Sequence, residues 1–143
     1  STPVLAATGA SSCVVFLDGN NWKLIRDDFP AIFERENDPA EWTQVDGTLY
    51  TELLMKKVGE ELLELSNAAT PNEQAEEMAD LLEVILAIEK HKGLDPELES
   101  LLNVVSLMQN SIGLEPEVVE QIRLKKRSKK GGFERGIVMK LKP

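Results

Sequence analysis

The sequence predicts an all-α protein, an antiparallel helical bundle, and three observations support this. Aromatic residues make up only 5% of the chain, whereas Leu, Glu, Ala and Lys are plentiful, which favours helices over strands. Apolar residues recur at helical spacing in several segments that Pro and Gly separate. A length of 143 residues with 42% hydrophobic content suits one globular domain. We expect residues 1–20 to be a loosely ordered lead-in with a short strand at Cys13–Leu17, and residues 21–143 to form a single helical domain.

The first two helices are expected between residues 30 and 68. A short helix begins near Pro30, because proline suits a first helical turn, and Asn37-Asp38-Pro39 ends it. Asp46 or Thr48 can cap the next helix, which runs to about Ala68.

The third predicted helix has a clear beginning and end. Thr70 can act as N-cap, Pro71 occupies the first position, and Glu73 is placed for a capping box. The helix continues to about Lys90, and Gly93 ends it. Because only a short link separates it from the preceding helix, the two should form an antiparallel hairpin.

The C-terminal third of the chain predicts two more helices and one extended segment. The helices fit Pro96–Ser111 and Pro116–Lys130, each of which begins with proline. The apolar stripe of Leu98–Met108 offers surface for packing or self-association. Gly136–Leu141 alternates enough to form a short edge strand or an extended arm.

Two pairs of carboxylates lie on the inner faces of the predicted hairpin. Glu61 and Glu64 are spaced i,i+3, as are Glu77 and Asp80, so each pair projects from one side of its helix. Glu61 falls within the apolar arc of its helix and Glu64 lies at the edge of that arc. Four anions between packed helices repel one another unless a cation lies among them, and Mg²⁺ or Mn²⁺ prefers such oxygen ligands. The alternative, surface salt-bridge partners, has most weight for Glu64.

Charge and cysteine content exclude several classes of protein. The net charge is −9, and residues 123–143 carry +8, which leaves −17 for residues 1–122. So acidic a body argues against broad binding to nucleic acid. No apolar run approaches the roughly 20 residues that span a bilayer. The single Cys13 excludes an internal disulfide, and a cytoplasmic protein is expected.

Three sequence blocks resemble a known family. Glu60-Glu61-x-x-Glu64 followed by Glu77-x-x-Asp80 resembles the acidic signature of the all-α nucleotide pyrophosphohydrolases, the MazG-like superfamily. Lys23-Leu24-Ile25-Arg26-Asp27 and Pro30 are similar to the N-terminal block of its phosphoribosyl-ATP pyrophosphohydrolase-like house-cleaning branch. The C-terminal block of that branch is similar to residues 126–138, which contain Gly131-Gly132-Phe133-Glu134.

The resemblance covers about residues 22–140 and has local departures. Asp28 and Lys130 differ from the residues usual in the two terminal blocks, and Gly136 replaces a basic residue. The chain also carries most of an additional helix around residues 98–112.

The resemblance implies an enzyme that cleaves nucleoside triphosphates between the α and β phosphates. The products are a monophosphate and pyrophosphate, and the role is clearance of non-standard nucleotides. Glu61, Glu64, Glu77 and Asp80 would hold Mg²⁺, with Mn²⁺ possible, and Glu61 or Glu64 would act as general base. Glu60 points away from the apolar arc, where it would be solvated or support the ligands. Members of the superfamily are generally dimers or tetramers, which implies a homodimer here.

A triphosphate also needs compensating cations. The candidates for substrate binding are Lys23, Arg26, Lys57, Arg127 and Lys130. Each of them has the alternative of a local salt bridge or a solvated position.

Four further side chains are less specific: two of them have two interpretations each, and the other two are expected to have structural roles. Trp22 and Trp42 either flank a base pocket or belong to the core. Phe133 is expected to be a core anchor, and His91 to cap a helix end.

Two alternatives to nucleotide clearance stay open. One is a helical interaction module whose acidic face binds a basic partner without catalysis. The other is the hydrolysis of phosphoribosyl-ATP.

Overall fold

The structure, a computed structural model, describes residues 13–38 and 40–143. The predicted lead-in at 1–12 and the predicted helix breaker Pro39 lie outside these residues. Within the described part, the chain forms five helices: α1 (Phe29–Arg35), α2 (Gly47–Asn67), α3 (Pro71–Lys92), α4 (Pro96–Ser111) and α5 (Pro116–Lys130). It also forms four strands: β1 (Val14–Leu17), β2 (Asn20–Leu24), β3 (Trp42–Gln44) and β4 (Ile137–Lys140).

The helical prediction is confirmed, and a small sheet accompanies the helices. The bounds of α4 and α5 agree with the sequence prediction, and α2 and α3 agree to within one or two residues. None of the described helices combines the length and apolar character needed to cross a bilayer.

The start of α3 is fixed by local hydrogen bonds, as the sequence predicted. The backbone N–H of Glu73 donates to the hydroxyl of Thr70 at 3.1 Å. The Glu73 carboxylate in turn accepts from the backbone N–H of Ala69 at 3.1 Å, one residue earlier than in a standard capping box. Asp46 precedes α2, but its side chain accepts no bond from that helix. The N-terminus of α3 is therefore better capped than that of α2, and this cap fixes where the hairpin turn ends.

Helices α2 and α3 form the predicted antiparallel hairpin. Thr51, near the start of α2, has its hydroxyl 2.8 Å from Nε2 of His91 in the last turn of α3. Farther along, Glu61 of α2 lies close to Glu77 of α3. The two acidic pairs therefore face each other across the hairpin.

One hydrophobic core joins the hairpin to α4, α5 and the sheet. The largest fully buried apolar side chains come from α2, α3, α5 and the strands: Leu24, Leu53, Leu54, Met78, Leu81, Val84, Ile88, Val119, Ile137 and Val138. Phe133 is only 3% exposed, which confirms its prediction as a core anchor.

The sheet is antiparallel, with strand order β1-β2-β4-β3. The turn between β1 and β2 is Asp18-Gly19, and both residues have positive φ, as a type I′ hairpin turn requires. β1 confirms the short strand predicted at Cys13–Leu17, and the residues that follow it are ordered as a turn and as the start of β2. β4 was expected at an edge, but it is an inner strand that pairs with β2 on one side and β3 on the other. The C-terminal segment therefore holds the sheet together.

Gly136 meets a close-packed backbone where the C-terminal segment enters β4. Its φ is +66°, and a Cβ atom there would overlap the carbonyl oxygen of Val45. The backbone N–H of Val45 also donates to the Gly136 carbonyl at 2.8 Å. The chain therefore leaves no space for a side chain at residue 136.

Gly136→Ala is therefore expected to destabilise the protein by roughly 2–3 kcal/mol, through left-handed strain and the overlap with Val45. Gly113→Ala is the matched control, since Gly113 has φ +68° and nothing lies within 4 Å of a Cβ built on it. Urea unfolding of the two variants measures the difference, because only the left-handed strain, about 1–2 kcal/mol, is common to both. Equal midpoints for the two variants would show that the overlap is relieved without cost.

Candidate metal centre and substrate groove

The four predicted carboxylates lie together where α2 and α3 face each other. One oxygen each of Glu61, Glu77 and Asp80 forms a group in which all distances are within 4.8 Å. Glu60, Glu61 and Glu64 form a second group under the same limit. Glu61 belongs to both groups and is only 4% exposed, whereas Glu64 is exposed at the rim. The helical spacing that suggested these residues brings them together in space.

Two of these oxygens are buried without a partner. Among the described residues, no group donates a hydrogen bond to Oε2 of Glu61 or to Oε2 of Glu77. Burial and the neighbouring carboxylates raise the pKa of Glu61 to about 8 and that of Glu77 to about 7. Each oxygen therefore needs a proton or a cation. A hard divalent cation fits this donor set, because it prefers clustered carboxylate oxygens.

Asp80 is already flanked by two cationic side chains. Nη2 of Arg26 donates to its Oδ1 at 2.8 Å, and Nζ of Lys126 lies 3.0 and 3.1 Å from its two oxygens. Arg26 also donates from Nη1 to the carbonyl of Gly131 at 2.8 Å. These contacts join the N-terminal and C-terminal blocks at one carboxylate.

Glu60 had two predicted positions, solvated or beside the ligands, and the structure places it in a half-buried ionic network. Its carboxylate lies 2.6 Å from Nζ of Lys57 and 3.8 Å from Nζ of Lys23. Nζ of Lys57 also lies 3.5 Å from Glu61. The Cys13 thiol also lies 3.5 Å from Glu60, and burial raises the pKa of this thiol to about 11. Glu60 thus holds Lys57 against the acidic cluster.

A groove of about 380 Å³ opens beside the cluster, within the roughly 300–1,000 Å³ typical of small-molecule sites. It brings together seven of the predicted site residues: Lys23, Arg26, Lys57, Glu61, Glu64, Asp80 and Lys130. Glu77 lies behind them in the cluster with Glu61 and Asp80. Cations and carboxylates therefore share one cavity wall.

Arg127 was predicted to bind substrate, but it does not line this groove. Its guanidinium lies 2.7 Å from Glu83 and 2.7 Å from Glu134. Glu83 is fully buried and is paired with Arg123 as well, at 3.1 Å. Arg127 therefore compensates a buried charge beside the groove.

Gly131 and Gly132, the two consecutive glycines of the C-terminal block, lie in positions that leave no space for a side chain. A Cβ on Gly131, whose φ is +82°, would lie 2.9 Å from Asp28, and one on Gly132 would lie 2.5 Å from Arg127. The following carbonyl, that of Phe133, accepts a 2.6 Å hydrogen bond from the Tyr50 hydroxyl.

The Phe133 ring lies under the cations of Arg26 and Lys57, with charge-to-centroid distances of 5.1 and 5.6 Å.

Sequence reasoning missed four residues beside the cluster: Phe29, Phe33, Glu83 and Lys126. A signal existed for Lys126, because it lies one helical turn before Lys130 and so shares its face. Neither tryptophan lines the groove. Trp22 is half-buried and packs against the core, and Trp42 is 45% exposed.

The helical hairpin and its acidic cluster suit an all-α hydrolase. The family model for phosphoribosyl-ATP pyrophosphohydrolase matches residues 27–108, more than half of the chain, and the chain belongs to this family. It is thus a pyrophosphohydrolase, a hydrolase that acts on acid anhydrides, and enzymes of this family typically depend on a divalent metal. The match includes all four carboxylates but not Lys23, Arg26 or the C-terminal block. No curated protein and no solved structure gives a match.

Proposed function

We propose that this pyrophosphohydrolase cleaves nucleoside triphosphates between the α and β phosphates, with Mg²⁺ as its cofactor, and clears non-standard nucleotides. The observation that carries the proposal is the pair of buried, unpartnered oxygens of Glu61 and Glu77 beside a cation-lined groove. Family membership supports an anhydride substrate and favours an enzyme over a non-catalytic interaction module.

The burial of each carboxylate suggests its role, either cation ligand or general base. Glu61, Glu64, Glu77 and Asp80 would hold the cation, which would supply positive charge for the phosphates and a lower pKa for the attacking water. Glu64 is exposed at the rim of the groove, so a water molecule can reach its carboxylate, which can accept the proton of that water. Glu61 is the second candidate for that role, because it belongs to both acidic groups.

The cations bind and orient the phosphates. Lys23, Lys57 and Lys130 line the groove, and Arg26 and Lys126 reach it from Asp80. Arg26 and Lys126 line the groove beside Asp80, within reach of a substrate there, and a guanidinium suits bidentate contact with phosphate oxygens. Arg127 would act indirectly, because its contacts hold Glu83 and Glu134.

Phosphoribosyl-ATP is the second candidate substrate, and the family match is the observation that favours it. It carries the same α–β anhydride, so the same residues would act on it. The homodimer and the cytoplasmic location remain predictions.

A pyrophosphate-release panel tests the proposed function. The full chain is incubated with standard, deoxy and modified triphosphates and with phosphoribosyl-ATP, each with Mg²⁺, Mn²⁺ or EDTA. We expect metal-dependent release of pyrophosphate and a monophosphate, and no release in EDTA. Turnover of phosphoribosyl-ATP alone would replace the clearance role with the second candidate. If no compound in the panel is hydrolysed with either metal, the proposed function is wrong.

A further inference from the structure

Helix α1 carries two aromatic rings that the hydrophobic core does not use. The rings of Phe29 and Phe33 stack on each other, with centroids 5.5 Å apart and planes 15° apart. Both side chains are half-buried, and α1 contributes no fully buried residue. Neither ring belongs to the core cluster or packs against it. The core therefore does not account for this aromatic pair.

The pair lines the groove that holds the acidic cluster. Phe29 and Phe33 contribute apolar wall together with Met139, while the charged wall carries the lysines, Arg26 and the carboxylates. Among the lining residues that the structure describes, every polar side chain is charged, and none is a hydroxyl, an amide or an imidazole. The groove thus joins an ionic part and an aromatic part.

A nucleotide has the complementary division of chemistry. Its phosphates and bound cation match the charged wall, and its base is the flat apolar surface that remains. Base–aromatic stacking needs no fixed hydrogen-bond pattern, because every base presents a π-face. An aromatic wall without neutral hydrogen-bonding side chains therefore suits a base that is held by its face and not by its edge.

We propose that Phe29 and Phe33 form the base-binding subsite, which stacks the nucleobase of a nucleotide substrate without reading its edge. The inference rests on the proposed function and adds a statement about specificity. Apolar pockets discriminate between similar ligands by roughly 10–200-fold, whereas pockets that hydrogen-bond a specific group reach 10⁴–10⁵-fold. Purine and pyrimidine nucleotides should therefore bind with affinities within about 100-fold of each other.

The test measures binding, so it does not depend on turnover. The α,β-methylene analogues of ATP and CTP cannot be cleaved at the proposed bond, and calorimetry in Mg²⁺ gives their dissociation constants. Phe33→Ala and Phe29→Ala should each weaken both analogues about ten-fold, the scale of one lost stacking contact. Inorganic tripolyphosphate, which has no base, should bind the variants and the wild type equally. Phe16→Ala is the matched control, because Phe16 is 67% exposed on β1 and does not line the groove.

Several outcomes would overturn the subsite. Unchanged analogue affinity in both variants would do so, as would an equal loss for tripolyphosphate. Discrimination of 10⁴-fold between the two bases would show edge recognition instead. A change in oligomeric state at unchanged affinity, seen by sedimentation, would assign the rings to a subunit contact.

Failure of the two proposals is separable. If the wild type binds the analogues through Phe33 but hydrolyses no nucleotide, the subsite stands and the proposed function fails. If it hydrolyses nucleotides and the phenylalanine variants bind normally, the subsite alone fails. If the wild type binds no analogue, the subsite is wrong, and the pyrophosphate-release panel decides the proposed function separately.

Discussion

Glu77→Gln is expected to lower kcat for nucleotide hydrolysis about 1,000-fold and to raise the melting temperature of the metal-free protein. The loss follows because Glu77 supplies one of three clustered oxygens, and a bound cation contributes several kcal/mol to transition-state stabilisation. The gain in stability follows because an amide removes a charge from a site where one oxygen is buried without a partner. Opposite effects on activity and stability are typical of a functional cluster.

Three measurements check this expectation. Steady-state kinetics gives kcat, electron paramagnetic resonance gives Mn²⁺ binding, and calorimetric melting in EDTA gives stability. Glu89→Gln is the matched control, since it makes the same charge change at an exposed position of the same helix. Full activity and normal Mn²⁺ binding in Glu77→Gln would remove Glu77 from the metal centre. A lower melting temperature would show that its charge is compensated in the metal-free protein.

Replacing both Arg123 and Arg127 by Met is expected to destabilise the protein by about 3–5 kcal/mol. The reason is that Glu83 is fully buried and these two guanidinium groups are the cations paired with it, at 3.1 and 2.7 Å. Without them, an uncompensated carboxylate remains in the core. Adding Glu83→Leu to the double variant should restore much of the loss, because the triad then becomes apolar.

Urea unfolding measures this effect, with the curves of all variants fitted to one common m-value. The matched control replaces Lys125 and Lys129 by Met, which removes the same charge with the same spacing from exposed positions of α5. The control should change the free energy of unfolding by no more than about 0.5 kcal/mol. A small loss in the arginine variant, or no recovery on adding Glu83→Leu, would contradict a buried ionic triad.

The helices could be predicted from the sequence because their signals are local. Apolar spacing set the faces, and Thr70-Pro71 and Gly93 marked a beginning and an end that the structure confirms. Two of the four strands, β1 and β4, were predicted, whereas β2 and β3, of five and three residues, were missed because such short segments carry little periodicity. All residues of β3 are exposed, so no alternation marks it. Asp18-Gly19 is a local hairpin signal in the sequence, and it coincides with the observed turn between β1 and β2.

The acidic cluster could be predicted because a short hairpin link fixes which helix faces meet. The roles of the basic residues on α5 could not be predicted in this way, since they depend on the rotation of α5 against α3. That rotation directs Lys126 to Asp80 and Arg127 to Glu83. Helical spacing alone groups Arg123 with Arg127 and Lys126 with Lys130, but it does not say which pair reaches the groove.

Arg26 donates a hydrogen bond to the Gly131 carbonyl, and β2 pairs with β4. Both contacts join residues that are synthesised more than 100 positions apart, so they form late during synthesis. A nascent chain that has emerged only as far as Lys92 can form the acidic hairpin, but it lacks the lysines of α5 and the strand that fixes the sheet. The groove is therefore complete only when residues 126–139 have folded against the hairpin. A fragment confined to residues 27–108 would keep the four carboxylates but lose Lys23, Arg26, Lys126 and Lys130, most of the cations that lie beside them.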